Sequence, residues 1–305
     1  MKKTLLTICL VWMCFSLSAQ KIIDLSGKWS FSIDRQDNGE KEKWFSHTLN
    51  DFINLPGSMP EKLKGDEVTA KTQWTGSLYD SSYYYNPYME KYRKEGNIKF
   101  PFFLTPDKHY VGAAWYQKEV NIPADWKGER ILLFLERPHI ETTVWVNGQK
   151  TGMQNSLCVP HQYDITRYVR PGKCTITIRV DNRIKEINVG PDSHSITDQT
   201  QGNWNGIVGR ICLQTTPKTY FDDIQIYPEP EQKLARVKVV IKGTGITKIK
   251  LSAESFNTDK KHIVPAIQQE IKLNKGVTET EMVLPMGNDM LLWDEFHPAL
   301  YKLKA

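Results

Sequence analysis

The sequence predicts an all-β chain: a large β-sandwich on a Greek-key or jelly-roll path, then a smaller immunoglobulin-like sandwich. Three observations carry this. In Thr142-Thr-Val-Trp-Val-Asn-Gly148, Val144 and Val146 alternate with Thr143 and Trp145. Alternation with period two marks a strand, and Asn-Gly between two such runs marks a hairpin turn. In Cys174-Thr-Ile-Thr-Ile-Arg-Val-Asp181, Ile176, Ile178 and Val180 share one face, and Thr175, Thr177 and Arg179 the other, with Pro171-Gly172 turning the chain into the run. Trp115–Val120 and Ile131–Leu135 add two more strands at close spacing. Short strands joined by short turns pack as sandwiches.

Taken in order, the N-terminus carries Lys2-Lys3, an apolar run from Leu5 to Leu17 and small residues at Ser16, Ser18 and Ala19. This is the pattern of a secretory signal peptide over residues 1–19, with cleavage expected before Gln20 and a periplasmic or secreted product. The run is short for a membrane span, and no other stretch is apolar enough to be one. From Ile22 to Asp34, Trp29, Phe31 and Ile33 occupy one strand face. Residues 66–109 break the strand pattern and are rich in aromatics: Trp74, Tyr79, Tyr83, Tyr84, Tyr85, Tyr88 and Tyr92. Long aromatic loops in compact domains usually serve function or meet a partner. A short helix is expected over Pro87–Lys94, then an apolar strand or extended loop over Asn97–Leu104. The sandwich resumes at Gly112 with a helical turn at Asp164–Tyr168, is interrupted by a polar, Gly-containing loop from Ile187 to Gly209, and closes with Ile211–Thr215. After Thr216-Pro217 the strands expected for the second domain, residues 218–305, are 220–227, 235–242, 248–253, 270–273, 278–284 and 300–303.

Composition excludes several classes. Hydrophobic content of 40% and charged content of 25% fit a globular protein. Loss of Lys2 and Lys3 takes the formal charge from +5 to +3, and the basic residues are scattered, so no nucleic-acid footprint is present. Cys9 and Cys14 leave with the leader. Cys158, Cys174 and Cys212 are too few and too widely spaced for a disulfide framework or a zinc site, and are expected as buried thiols. No metal or other cofactor is indicated. His161 and His194 have no identifiable nucleophile beside them, and Glu136, Glu141 and Asp181 sit at strand ends and turns, so none is assigned acid/base chemistry.

Five segments occur in a telling order: Trp115-Tyr-Gln-Lys-Glu-Val, Val144-Trp-Val-Asn-Gly, Tyr163-Asp-Ile-Thr, Val180-Asp-Asn and Trp204-Asn-Gly-Ile207. In that order they resemble the sugar-binding domain of glycoside hydrolase family 2, which includes β-galactosidases, β-glucuronidases and β-mannosidases. Leu292-Trp-Asp-Glu-Phe-His-Pro-Ala-Leu-Tyr301 is similar to the end of that family's immunoglobulin-like second domain. The resemblance implies a jelly-roll sugar-binding domain over residues 20–217. It also implies a following (β/α)8 barrel bearing the acid/base and nucleophile Glu of a retaining mechanism. A barrel needs about 250 residues, so the chain is expected to be a non-catalytic N-terminal portion whose partner is that barrel.

The same resemblance implies three substrate-binding residues. Asn97, in Asn97-Ile-Lys-Phe-Pro101, matches an Asn that contacts the sugar in the family's β-galactosidases, so a terminal β-linked galactose is the favoured carbohydrate. An amide can both donate to and accept from hydroxyls, although a loop Asn also caps its own turn. Asp198 matches an acidic contact in the second loop, offset in spacing from Trp204, with Gln199 and Gln201 as alternatives. Trp204 offers a flat surface for the C–H face of a sugar, a role the Tyr83–Tyr92 tyrosines share. The rival readings are a free-standing carbohydrate-binding module or surface lectin, and a purely structural pair of sandwiches.

Overall fold

The structure, a computed structural model, describes residues 21–75, 81–100, 104–185, 198 and 202–305. The expected leader lies outside these, as do Tyr79, Pro101, His194, Gln199 and Gln201. The chain divides between Thr216 and Pro217 into two compact units.

The first unit contains β1 (Ile22–Asp24), β2 (Gly27–Asp34), β3 (Asp51–Leu55), β4 (Gly57–Ser58), β5 (Asp66–Glu67), β6 (Lys108–His109), β7 (Ala113–Ile122), β8 (Arg130–His139), β9 (Glu141–Val146), β10 (Gln149–Asn155), β11 (His161–Asp164), β12 (Gly172–Asp181) and β13 (Gly206–Thr216). One sheet runs β1-β13-β8-β11 with β4 on β13; the other runs β10-β9-β12-β7-β2-β3. All these pairs are antiparallel. The β9–β10 hairpin turns on Asn147 (φ 49°) and Gly148 (φ 77°), the left-handed pair that a two-residue turn requires. The inward face of each strand supplies the core: Phe31 from β2, Ala114 and Tyr116 from β7, Leu133 and Leu135 from β8, Val144 and Val146 from β9, Ile176 and Ile178 from β12, Ile211 and Leu213 from β13.

The six-stranded sheet departs from the usual pattern of one dry face and one wet face. Its outward Trp145, Thr143, Thr177, Arg179 and Asp181 are also buried. The segment between β2 and β3 lies over them: Phe45 stacks on Trp145 at 5.2 Å, Trp44 meets Trp115 at 6.1 Å, and Trp115 stacks on Trp145 at 4.9 Å. Asp34 ties this cover down, accepting from Trp115 Nε1 at 2.9 Å and from the backbone N–H of Asn38 and Gly39.

The aromatic stretch holds a turn of α-helix at Ser82–Tyr85 and a 3-10 helix at Pro87–Tyr92 capped by Asn86, whose side chain accepts from Tyr88 N. Tyr83 is buried, stacked on Phe100 at 4.4 Å, with its hydroxyl donating to Tyr92 O. Tyr85 and Tyr88 point outward, 72% and 85% exposed. Cys174 and Cys212 are buried as expected; Cys158 is not, because it lies in the bend between β10 and β11 rather than on a strand.

The second unit contains β14 (Tyr220–Glu229), β15 (Leu234–Phe256), β16 (Ile263–Pro285) and β17 (Leu300–Lys304), ordered β14-β15-β16 with β17 on β15. The strands expected as separate pieces over 235–253 and 270–284 are continuous. Gly243, Gly245 and Gly276 take positive φ, and the register shifts at Gly243/Gly245. Bulges there bend the ribbon without ending its pairing. Val237 and Ile241 from one half of β15 thus share a core with Ile249 and Leu251 from the other.

Ile178, fully buried in β12 between Tyr116 and Val144, reports on the first core. Ile178→Ala is expected to cost about 3 kcal/mol, whereas Lys173→Ala on the exposed start of the same strand costs under about 0.5 kcal/mol. Urea denaturation of both variants measures the difference.

Candidate functional site

The candidate site lies at the end of the sandwich where β7 begins, β12 ends and β13 begins. The β7–β12 pairing ends there with Asn182 N–H donating to Gly112 O at 3.4 Å, and asparagine side chains add further donors to the carbonyls that meet at this end. Asn205, fully buried, donates its two amide hydrogens to Gly112 O and Val180 O, both at 2.9 Å, and accepts from Tyr116 Oη at 2.7 Å. Asn182 donates to Tyr110 O and Asn203 Oδ1 and accepts from Gly112 N. Asn203 donates to Asn182 O and Thr75 Oγ1, both at 3.0 Å. Burial pushes the Tyr116 hydroxyl well above its ordinary range, so it stays a donor.

Asp198 is almost wholly buried. Its Oδ2 accepts from Thr75 N at 2.5 Å and its Oδ1 from Asn203 N at 2.7 Å. His109 Nε2 stands 3.7 Å from Oδ2. The carboxylate expected to meet sugar hydroxyls accepts two backbone N–H groups, which tie Asp198 and Asn203 to Thr75. Trp204 follows directly. It is half-buried, with its ring stacked on His139 at 4.5 Å and 22°. Asp198 and Trp204 are brought together through Asn203. Asn97 is not brought to them by any direct contact. It is exposed, with its side-chain N–H donating to Lys91 O at 2.8 Å and its backbone N–H to Lys94 O. Its segment reaches the clasp through Phe100, which packs on Trp74 at 4.9 Å; Trp74 in turn meets His109 at 4.7 Å.

Beside Asn182 lies a buried charged cluster. Asp181 is fully buried and pairs with Arg179 at 3.0 Å, Arg183 at 2.5 Å and Lys185 at 2.9 Å. Asp37 and Glu141 complete the cluster through Arg179, Arg183 and Lys185. Burial alone would push the Asp181 carboxyl up, but the hydrogen bonds from Arg183 and Lys185 and the Arg179 charge outweigh it and hold the group well below the usual carboxylate range. Glu141 and Asp181 are thus ion-pair partners of Arg179, Arg183 and Lys185 rather than an acid and a base facing a substrate. His161 bonds to Thr142 Oγ1 and Ser156 O inside the core. Among the described residues, no group of three or more His, Cys, Asp or Glu is placed to hold a metal ion, and no helix is long and apolar enough to cross a membrane.

The described residues thus form two antiparallel β units, the first with an amide-braced loop that presents Trp204 at its end. The family description "Glycosyl hydrolases family 2, sugar binding domain" matches residues 22–217, and "Glycosyl hydrolases family 2" matches residues 219–305. The chain belongs to glycosyl hydrolase family 2. It is 24% identical to human β-glucuronidase over 258 residues, which is 75% of this chain and 34% of that protein. It is 24% identical to a β-galactosidase of Thermoanaerobacter pseudethanolicus over 224 residues, 68% of this chain and 28% of that one. The chain thus spans about a third of the length of the curated relatives it matches. Among solved structures, a β-glucuronidase of an uncultured Clostridium sp. superposes with a TM-score of 0.58 at 22% identity, covering 94% of this chain and 42% of that one. That likeness shows the fold.

Reasoning from sequence missed Asn182, Asn203, Asn205 and His139. The signal was present for three of them: Asn182 and Asn205 stand in the segments Val180-Asp-Asn and Trp204-Asn-Gly-Ile207, and Asn203 directly precedes the second. Burial lowers the His139 pKa to about 4, against about 6.5 in an unfolded chain. The folded state therefore prefers the neutral ring. Its stabilising share is complete above pH 6.5 and is lost as pH falls towards 4, because the unfolded chain takes up a proton first. The loss reaches up to about 3 kcal/mol, with His161, also lowered by burial, acting in the same direction. His139→Phe is expected to flatten the dependence of unfolding free energy on pH between 6.5 and 4.5, as measured by urea denaturation.

Proposed function

We propose that this chain is the non-catalytic N-terminal portion of a secreted, retaining family 2 glycosidase. It acts in the hydrolysis of terminal β-glycosidic bonds together with a (β/α)8 barrel. The observation that carries this reading is the match of both β units, in order, to about a third of the length of β-glucuronidases and β-galactosidases. Export follows from the leader pattern at residues 1–19. Galactose is the favoured sugar on the likeness around Asn97, with glucuronic acid as its competitor because both activities occur among the named relatives.

In this reading Asn97 and Trp204 face the sugar. Asn97 is exposed and carries amide chemistry suited to hydroxyls. Trp204 supplies a flat apolar surface. Asp198 contributes by holding the loop, since both its oxygens already accept backbone N–H groups. A free-standing carbohydrate-binding module is the second reading, favoured by the exposure of Tyr85 and Tyr88. Isothermal titration of this chain with galacto-oligosaccharides separates the two. Micromolar affinity supports the module, and no measurable heat supports a domain that shapes another domain's site.

In a full-length enzyme, Asn97→Ala is expected to lower kcat/KM on nitrophenyl β-galactoside about 10- to 100-fold, the loss of one or two hydrogen bonds in the transition state. Unchanged turnover on both the galactoside and the glucuronide would remove Asn97 from the site.

A further inference from the structure

We propose that His139 is a positioning residue that fixes the ring of Trp204 as one wall of a sugar subsite. The proposal rests on the reading above, in which Trp204 meets the sugar, and it assigns a task to a residue that no sequence motif singles out.

Three observations converge on it. The first is the stack. The imidazole centroid lies 4.5 Å from that of the indole at 22° between the planes, so it covers one face of the half-buried Trp204. The second is the framing of the backbone. His139 pairs with Gly206 across β8 and β13, two residues beyond Trp204. Gly206 admits no side chain there: a Cβ would stand 2.5 Å from Gly57 O. Asn203 and Asn205, on either side of Trp204, are buried and fully donated to carbonyls and side-chain acceptors. With the main chain held on both sides, the remaining freedom of Trp204 is rotation of its side chain, and His139 is the flat group that opposes it.

The third observation is the chemistry of His139 itself. It is only 4% exposed, and the Asn203 side chain, one residue before Trp204, acts on its ring. Its burial keeps it uncharged through the neutral range, so it serves Trp204 as a neutral plane and not as a cation. Fixing an aromatic wall before the ligand arrives reduces the ordering cost of binding. A stacked pair of this kind contributes about 0.5–1.5 kcal/mol, which corresponds to about a three- to tenfold change in affinity.

The test compares His139→Phe, which keeps a flat ring, with His139→Leu, which keeps apolar volume without one. Both variants are apolar and of similar bulk, so both are expected to fold. The protein is labelled with 5-fluorotryptophan, and the Trp204 fluorine line is assigned by its loss in Trp204→Phe. The expected result is that Phe preserves the position and width of that line while Leu shifts and broadens it, at thermal midpoints that differ little between the two. Titration with methyl β-D-galactoside and methyl β-D-glucuronide, joined to the barrel where the isolated chain gives no heat, is expected to show the three- to tenfold loss in Leu and none in Phe. An unchanged fluorine line in both variants overturns the proposal. Loss of the line's position in Leu with no affinity for either glycoside in the wild-type full-length enzyme leaves His139 as the brace of Trp204 and overturns the sugar-facing reading instead.

Discussion

Three asparagine side chains with almost no exposed surface hold together the end of the first β unit. A strand that stops leaves carbonyls without ladder partners, and a buried carbonyl without a donor is costly. At this end the carbonyls of Tyr110, Gly112, Val180 and Asn182 receive amide hydrogens from Asn182, Asn203 and Asn205, with Gly112 O also accepting from Asn182 N. Each of the three amides uses both of its N–H donors and its oxygen. The cluster is therefore satisfied as a whole, and that is the condition under which a buried polar network stiffens a structure rather than weakening it. Replacing Asn205 by an aliphatic group of similar size would remove the side-chain donors to Gly112 O and Val180 O at once. The placement of Asp198 and of residues 202–206, Trp204 among them, follows from this arrangement.

The charged cluster next door obeys the same logic with higher stakes. Asp181 precedes Asn182 directly, so the end of β12 carries a fully buried carboxylate on one face and a fully buried amide on the next residue. Taking a carboxylate out of water costs several kcal/mol unless it is paired and hydrogen-bonded. Arg179, Arg183 and Lys185 supply that pairing, and Asp37 and Glu141 balance the bases in turn. The cover formed between β2 and β3 makes the burial possible and also contributes Asp37. The aromatic lid of Trp44 and Phe45 and the ion cluster at its edge are thus parts of one device. It dries the outer face of a sheet that would otherwise be half wet.

What could be read from the sequence follows what is local. The strand faces of β9 and β12, the turn at Asn147-Gly148 and the helical turns near Pro87 and Thr166 depend on spacing and on residues a few positions apart, and alternation exposes them directly. The burial of Trp145 and Arg179 on the outward face depends on a segment a hundred residues upstream, which no local period reveals. The continuity of β15 and β16 turns on glycines, which read as breaks in a one-dimensional pattern yet serve here as bulges inside a paired ribbon. At the candidate site, the likeness to a family pointed to the second loop and to Trp204. It could not show which way Asp198 turns, because that is decided by two backbone N–H groups, one of them on Thr75, far away in the chain. Cys158 differed for the same kind of reason: a thiol's burial is set by the bend it occupies, not by its residue type.

The first unit shows two kinds of exposed aromatic side chain, and they differ in what they can offer a ligand. Tyr85 and Tyr88 stand on a short helical stretch, and their rings are mostly in water. A ring of that sort presents area, but the complex must then bear the cost of ordering it. Trp204 keeps less surface in water, yet its main chain is bounded by two buried amides and its ring lies flat against an uncharged imidazole. Binding to a surface already held in one arrangement retains more of the contact free energy. A sugar ring offers a weak, flat apolar patch and a set of hydroxyls that water already satisfies, so its net gain from any contact is small and the ordering cost decides the outcome. On the proposed reading, in which Trp204 meets a sugar, this half-buried ring rather than the more exposed Tyr85 and Tyr88 would distinguish one face of a pyranose from the other.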